Sequence, residues 1–595
     1  MTELLVIGGA SLDILHFAGQ TSPSAGGAGM YTALAASRSG VRATMLAPRP
    51  SPVPVSLQPV AQRIEWLGPA VAPDELPRFE IAHYGGGKAE LLNASWGAEA
   101  RMTPNDLPAD LAGYRLVHIA ALGTARRQLD FLHACRQRGA TRISVGTYAR
   151  VVYSETENIR ALFDQADIFF MNENEATGLF GSIEVARTRP GALLFITLGE
   201  RGALVYQGQH VTRIPGLKAN ELDPTGAGDT FCGATLAGLA RGEHPVIAAW
   251  KAVALAAQVI EAIGPAALLR DDSPPEVPHD PRVALNQDQI ARVARIIATL
   301  PEVEPFKFVG PECPPVGHPA ALDYYFAATL QQFGFWEARG GRYGRPLLAP
   351  IEGAPRKGSD YLWHAYLRPL ARDAEFYAPA RQASLTRDDL VFIFRADDGS
   401  DPMPSLDLHL AQAQAYGHDM LALGLSPQIL VARANTTATP LQTFLQSLDH
   451  IGGYKEDPLR KKANLLALIL HQRPEGFLRF SADEAVDPVI DYHHMRSCLR
   501  MGLLDVLDPD LREALIVRRL LDPSDEWAVR RAAWGAIRPI VAGSGKSMGA
   551  VDWFFFNARR RCPEMAEPEC FQCPVDPVCA HRKELFQPVL RTTFY

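Results

Sequence analysis

The sequence predicts a two-domain protein, an α/β domain followed by a mainly helical one. Three observations lead to this. At 595 residues the chain exceeds one ordinary domain. The first 269 residues hold an apolar opening strand, Leu4 to Asp13, and a glycine turn that enters an apolar helix at Asp223 to Ala240. Arg270 to Arg282 is rich in proline and charge and lacks strand or helix periodicity, as a boundary does. Domains are therefore expected at 1–269 and 286–595, with 270–285 as the linker.

The most informative string is Asp223-Pro-Thr-Gly-Ala-Gly-Asp229-Thr-Phe231. Gly226, Ala227 and Gly228 let the backbone turn its N–H groups toward an anion, and the apolar run from Phe231 to Ala240 supplies a helix whose positive end meets the same anion. Asp229 stands where that helix begins. A carboxylate there can accept the proton of an alcohol that attacks a γ-phosphoryl group. The plainer reading is an ordinary loop with an aspartate helix cap. Between Arg63 and Ser95 apolar and polar residues alternate around Gly85-Gly-Gly87, which predicts a small β lid able to shield a phosphoryl group from water.

The net charge of −7 gives no global attraction to nucleic acid, so nucleic acid is admitted as a partner but not favoured. No apolar run approaches a membrane span, and the chain enters a strand at once instead of a signal peptide. A cytoplasmic protein without membrane contact is expected; the oligomeric state is left open.

The first 269 residues resemble the ribokinase-like, or PfkB, carbohydrate and nucleoside kinases. Besides Asp223 to Phe231, the resemblance is carried by Leu4-Leu-Val-Ile-Gly-Gly-Ala-Ser-Leu-Asp13, by Gly26-Gly-Ala-Gly-Met-Tyr-Thr-Ala-Leu-Ala35, by Asn172-Glu-Asn-Glu175 after an apolar run, and by Ile196-Thr-Leu-Gly-Glu-Arg-Gly-Ala203. It implies Asp229 as catalytic base and an acceptor site at Asp13, Gly26 and Gly27. It also implies an ATP and phosphate site at Asn172, Glu175, Thr197, Gly199, Gly226, Ala227 and Gly228. ATP, Mg²⁺ and a monovalent cation come with that family. One position departs: the family's usual asparagine after the glycine pair is Tyr31 here. A tyrosine offers a ring and one hydroxyl in place of an amide, which is compatible with a nucleoside acceptor whose base the ring could stack; a space-filling Tyr31 is the alternative.

Eight cysteines are few for this length, yet four crowd into the end of the chain. Cys562, Cys570, Cys573 and Cys579 suit a metal or iron–sulfur centre better than disulfides in a reducing compartment. Spacing alone leaves zinc open. The cluster and the helix Trp553 to Arg561 before it resemble the C-terminus of endonuclease III-like DNA glycosylases, which implies a 4Fe-4S cluster; those enzymes have six residues in the first gap where this chain has seven.

Val486 to Leu503 resembles the helix-hairpin-helix glycosylase segment that bears a catalytic aspartate, matched here by Asp491. Arg460 to Leu466 is similar to the helix that carries a Schiff-base lysine, matched by Lys461, with Lys462 adjacent. The hairpin before that helix, His450 to Leu459, lacks the compact Gly-x-Gly turn. Leu322 to Phe326, Phe335-Trp336, Ser359 to Arg368 and Leu385 to Asp397 follow the motif order of the queuosine salvage glycosidases, which release the base from a modified nucleoside monophosphate. For Asp491 the plainer reading is a helix cap; for Trp336 and Trp363 it is core packing. Ala542-Gly-Ser-Gly-Lys-Ser547 looks like a P-loop ending, but Ile540 occupies the place of its required glycine, so a loop is expected.

The whole predicts an α/β ribokinase-like kinase with a small β lid, followed by a mainly helical, DNA-glycosylase-like domain ending in a four-cysteine cluster. The expected function is phosphorylation of a modified nucleoside followed by N-glycosidic cleavage of the nucleotide, with Asp229 and Asp491 as the key carboxylates. Two alternatives stand beside it: a DNA base-excision or base-modifying enzyme, and a kinase with a non-catalytic nucleic-acid-binding domain.

Overall fold

The computed structural model describes residues 3–17, 20–84, 89–274 and 276–595. The chain divides into two compact units, Met1–Pro278 and His279–Tyr595. Among the described residues no helix is long and apolar enough to cross a membrane.

The first unit is built on a nine-stranded sheet. Its order in space is His210–Ile214, Ala203–Gln207, Leu193–Thr197, Ile168–Asn172, Ile143–Gly146, Leu116–Ile119, Leu4–Ile7, Ala43–Leu46 and Glu65–Leu67. From Leu193–Thr197 to Glu65–Leu67 neighbours pair in parallel, and the two strands at the other edge run antiparallel. Leu4–Ile7 is buried along its whole length, as a strand covered on both faces must be. Its residues alternate between two cores. Leu4 and Val6 join the helices Ala28–Arg38, Ala227–Ala240 and Pro245–Val259, while Leu5 and Ile7 join Ala125–Gln137 and Thr156–Gln165.

A second sheet has four strands, ordered Gln20–Gly26, Ser11–Phe17, Arg78–His83 and Ala89–Ser95. The expected lid within 63–95 therefore supplies half of this sheet. The other half comes from the hairpin at 11–26, so Leu4 to Asp13 is two strands in two sheets rather than one. The chain leaves the first strand at Gly8 and re-enters extended structure at Ser11. The glycine run 85–87 lies outside the described residues.

The second unit is mainly helical, with short antiparallel pairs such as Val283–Leu285 with Leu504–Val506 and Trp336–Arg339 with Arg342–Pro346. The first of these pairs ties part of the expected linker into the second unit. Its core is rich in tyrosine, and several of the buried hydroxyls find backbone acceptors. Tyr361 donates to Phe394 O at 2.8 Å, Tyr377 to Tyr366 O at 2.6 Å and Tyr454 to Phe326 O at 2.6 Å. A buried bidentate pair, Arg530 to Asp457 at 2.8 and 2.6 Å, sets the start of the helix Lys461–Gln472: Asp457 also accepts the Lys461 N–H at 2.7 Å. The Gly545 region is a turn between the helices Pro523–Ser544 and Met548–Arg561.

Candidate functional site

In the first unit the parallel strands bring several of the residues named from the sequence to one edge of the sheet. Ile7, Asn172 and Thr197 end neighbouring or near-neighbouring parallel strands, so Gly8, Asn172 and Thr197 share the carboxyl edge, where open α/β sheets bind ligands. Asn172 and Glu175 cap the helix Glu173–Phe180 reciprocally: Asn172 Oδ1 accepts the Glu175 N–H at 2.9 Å and Glu175 Oε2 accepts the Asn172 N–H at 2.9 Å. Gly199 opens a short turn after Thr197 and faces open space, since a Cβ there would meet nothing within 4 Å.

The helix Ala227–Ala240 begins after Gly226, which is left-handed at φ 75°, and carries Asp229 in its first turn. Burial pushes the Asp229 carboxyl up to about 6. Asp13 projects from the four-stranded sheet, accepts the Phe79 N–H at 3.3 Å, and is likewise raised to about 6 by burial. A Cβ on Gly26 would lie 1.8 Å from Asp13 Oδ2, so a larger residue there would displace that carboxylate. Burial lifts Glu175 to about 7, with the Asp229 charge adding to the shift.

Tyr31 sits among these groups. It is 1% exposed, and among the described residues its hydroxyl has no hydrogen-bond partner. Burial raises its pKa well above 10, and Asp223, Asp13 and Asp229 push in the same direction. Its ring packs against Gly226, where a Cβ would come within 2.5 Å of three ring carbons. Glu99 is a buried carboxyl beside Gly9 that sequence reasoning missed. It is buried, accepts the Gly9 N–H at 3.2 Å, and is raised to about 7 by burial. Only the tertiary fold brings it there, from 90 residues away, so no local signal marks it. The helix N-terminus after Gly226 can hold phosphate on its backbone N–H groups, and Asp229 in its first turn can take a proton from an attacking hydroxyl.

Residues 72–272 match the family model described as pfkB family carbohydrate kinase. The first unit carries a PfkB-family carbohydrate or nucleoside kinase domain. The chain is 28% identical over 253 residues to the cytidine kinase of Thermococcus kodakarensis, covering 41% of this chain and 90% of that one. It is 38% identical over 80 residues to the ribokinase of Lactococcus lactis, covering 13% and 27% respectively. Among solved structures it is similar to the adenosine kinase from Sinorhizobium meliloti, with a TM-score of 0.38 at 21% identity over 44% of this chain and 95% of that one. The PfkB domain is thus an ATP-dependent kinase of a sugar or nucleoside.

Beyond the PfkB domain, the second unit holds a cavity of about 100 Å³ that gathers Asp491 and Lys461. Phe306, Phe308, Phe335, Trp363, Tyr492, Trp553 and Phe556 form its aromatic wall; His493, His494, Asp360 and Asp552 add polar groups. Trp363 is there and Trp336 is not; Trp336 packs on Tyr343 and Arg591 instead. Asp491 caps the helix Tyr492–Met501. Its Oδ1 accepts the His493 and His494 N–H groups at 2.8 and 3.0 Å and His494 Nδ1 at 2.8 Å. Cap and cavity wall are therefore both roles of the same carboxylate. Three donors converge on Oδ1, and Oδ2 takes none of them.

Burial opposes charge on Asp491, but His494, with Lys461 adding to it, holds its carboxyl well below the usual range. His494 answers with the opposite shift. Burial works against its charge, yet Asp491 and Asp552 raise it to about 9. Its Nε2 lies 3.1 Å from Asp552 Oδ1, at ion-pair distance though too bent for a hydrogen bond. Lys461 donates to Gln332 O at 3.2 Å, and burial lowers its pKa against the pull of Asp491. Lys462 points elsewhere, donating to Leu330 O at 3.1 Å and Gln412 Oε1 at 3.2 Å, with burial lowering it to about 7. Of the two lysines, only Lys461 lines the cavity.

Cys562, Cys570, Cys573 and Cys579 line one small apolar pocket together with Arg500, Met501 and Phe554. Arg500 Nη1 donates to Cys562 Sγ at 3.2 Å, and the His581 N–H to Cys579 Sγ at 3.4 Å. Among the described residues, the group of three or more ligand atoms within 4.8 Å of one another is Cys570, Asp576 and His581, not the four cysteines. Glu564 in the loop before Cys570 is buried and pairs with Lys357. Arg559 is similarly buried and bonded to Asp360 at 2.9 Å.

Proposed function

We propose that the protein phosphorylates a nucleoside with ATP and then releases the base from the nucleotide so formed. A nucleoside acceptor is supported by the cytidine kinase likeness, which spans nearly all of that relative. Asp229 takes the proton of the attacking hydroxyl, while the N–H groups at Gly226, Ala227 and Gly228 hold the transferring phosphoryl group. Asp13, Gly26, Gly27 and the Tyr31 hydroxyl form the acceptor side; Thr197 and Gly199 lie on the nucleotide side. Mg²⁺, organised near Asn172 and Glu175, supplies charge neutralisation when bound.

The observation that carries the second step is Asp491: a carboxylate kept ionised by three donors on one oxygen, in an aromatic cavity beside Lys461. Cleaving an N-glycosidic bond builds positive charge on the sugar, which such a carboxylate stabilises. A group this acidic is a poor proton acceptor, so its role is electrostatic. The turn 449–460 offers little to a DNA backbone, since the Gly452 N–H and Lys455 both bond Asp419 at 2.7 Å and Arg460 bonds Asp449 at 2.8 Å.

We read the four cysteines as an iron–sulfur site: they line one pocket with apolar walls, and the His581 N–H donates to Cys579 Sγ at 3.4 Å, as the sulfurs of such a cluster accept. When bound, the cluster would tie the end of the chain to the helix Tyr492–Met501.

A mass-spectrometric screen of nucleosides with ATP and Mg²⁺ tests the scheme. Free base should appear with the wild type, stop in Asp229→Asn, and return when nucleoside monophosphate is supplied. Base release by Asp229→Asn from an unphosphorylated nucleoside would sink it.

A further inference from the structure

We propose that His493 is a further catalytic residue of the second unit, donating a hydrogen bond from Nε2 to the base as it leaves. This rests on the N-glycosidase reading above. Arg496, 1% exposed, donates from Nη2 to His493 Nδ1 at 2.9 Å. A guanidinium has no acceptor, so Nδ1 must carry a lone pair and the ring's one proton sits on Nε2. Arg496 is held in turn by Gln587, to which Nη1 donates at 2.8 Å. The His493 N–H is anchored on Asp491 Oδ1, which ties the ring's position to the carboxylate. With Nδ1 engaged by Arg496, Nε2 is the ring nitrogen left to serve a ligand, and His493 lines the cavity.

The surroundings say which part of a nucleotide Nε2 meets. His493 stands edge-on to Phe556 at 5.7 Å, Phe556 stacks on Trp553 at 5.7 Å, and Trp553 stacks on Phe306 at 4.3 Å and 11°. That continuous aromatic wall suits a flat base, with the sugar toward Asp491. The charge agrees. Burial, reinforced by Arg496, Arg559 and Lys357, keeps the ring neutral, and a neutral donor suits a ring nitrogen gaining an electron pair more than a phosphate dianion. In the step itself the C1′–N bond breaks with its electron pair going to the base. Water bonds C1′, and its proton ends on the base. His493 keeps its own proton and only lends the hydrogen bond, so its contribution grows with the charge on the departing nitrogen.

The test compares two leaving groups on one sugar phosphate: a nucleoside 5′-monophosphate and p-nitrophenyl ribofuranoside 5′-phosphate, whose phenolate leaves without help. His493→Phe should lower base release by about 100-fold and p-nitrophenolate release by no more than about 5-fold. His493→Gln, which can place an amide N–H near Nε2, should recover most of the loss. Equal losses for both leaving groups, or no loss in His493→Phe, overturn the role of His493 while leaving the glycosidase reading intact. No release from either compound by the wild type overturns that reading and this one with it.

Discussion

The ring of Tyr31 lies on the backbone of Gly226: a Cβ at residue 226 would come within 2.5 Å of Tyr31 Cδ1, Cδ2 and Cε1. On the proposed roles of these residues, the contact joins the acceptor side of the kinase site to its phosphate-binding turn. Gly226→Ala therefore meets two penalties. The left-handed backbone alone costs about 1–2 kcal/mol, and the ring must also move. We expect a lower melting temperature and about a 100-fold loss of phosphorylation as the turn is displaced. In a Tyr31→Ala background the same change should cost less, because only the backbone penalty remains. An equal cost in both backgrounds would show that the contact carries no energy.

The raised carboxyls give the PfkB domain an unusual pH response. Asp13 and Asp229 at about 6, with Glu99 and Glu175 at about 7, all stand above their unfolded values. Between about pH 4 and 7 the folded domain thus binds more protons than the unfolded chain, so its stability falls as pH rises through that window. Calorimetry should show the first unit melting higher at pH 5 than at pH 8, with the difference reduced in Asp229→Asn. Activity should move the opposite way. The base form of Asp229 grows through about pH 6, so kcat/KM for phosphorylation should climb there and then level. A flat melting profile would contradict the burial of these groups.

What could be read from the sequence follows from how locally each feature is encoded. Asp223 to Phe231 was legible because turn, helix start and carboxylate are contiguous, and the structure puts Asp229 in the first helical turn as that string requires. The parallel core strands were legible through continuous apolar runs such as Leu4 to Ile7. The contact of Tyr31 with Gly226 and of Glu99 with Gly9 joins residues 195 and 90 positions apart, and nothing in either neighbourhood announces it. The hairpin at 11–26 hid for another reason: its polar edge strand, Gln20 to Gly26, lacks the apolar alternation that marks a half-buried strand. In the second unit, sequence could name Asp491 but could not choose between cap and cavity, because choosing needs the other side of the cavity.

His494 makes a prediction of the same sign for the second unit, in a higher pH window. Its imidazole is flanked by Asp491 at 2.8 Å and Asp552 at 3.1 Å and is raised to about 9. A raised base contributes stability that is complete below its unfolded pKa, about 6.5, and is lost as pH climbs through 9. The second unit should therefore lose melting temperature between pH 7 and 10. Asp552→Asn removes one of the two carboxylates, so the loss should begin at lower pH. An unchanged profile in Asp552→Asn would mean that His494 owes its charge to Asp491 alone.

The cysteine pocket and the cavity share two helices, and this sets what cluster loss should do. Tyr492–Met501 places His493 and His494 in the cavity at one end and Arg500 and Met501 in the cysteine pocket at the other; Met548–Arg561 contributes Asp552 and Phe556 to the first and Phe554 and Arg561 to the second. Cys573→Ser should remove visible absorbance, iron and acid-labile sulfide together. It should also loosen both helix ends, cutting base release by at least about 10-fold while ATP-dependent phosphorylation by the PfkB domain stays within about 2-fold, since additivity holds for independent sites. A colourless wild-type protein containing one zinc and no sulfide would replace the iron–sulfur assignment. Loss of phosphorylation in Cys573→Ser would show instead that the two units do not function independently.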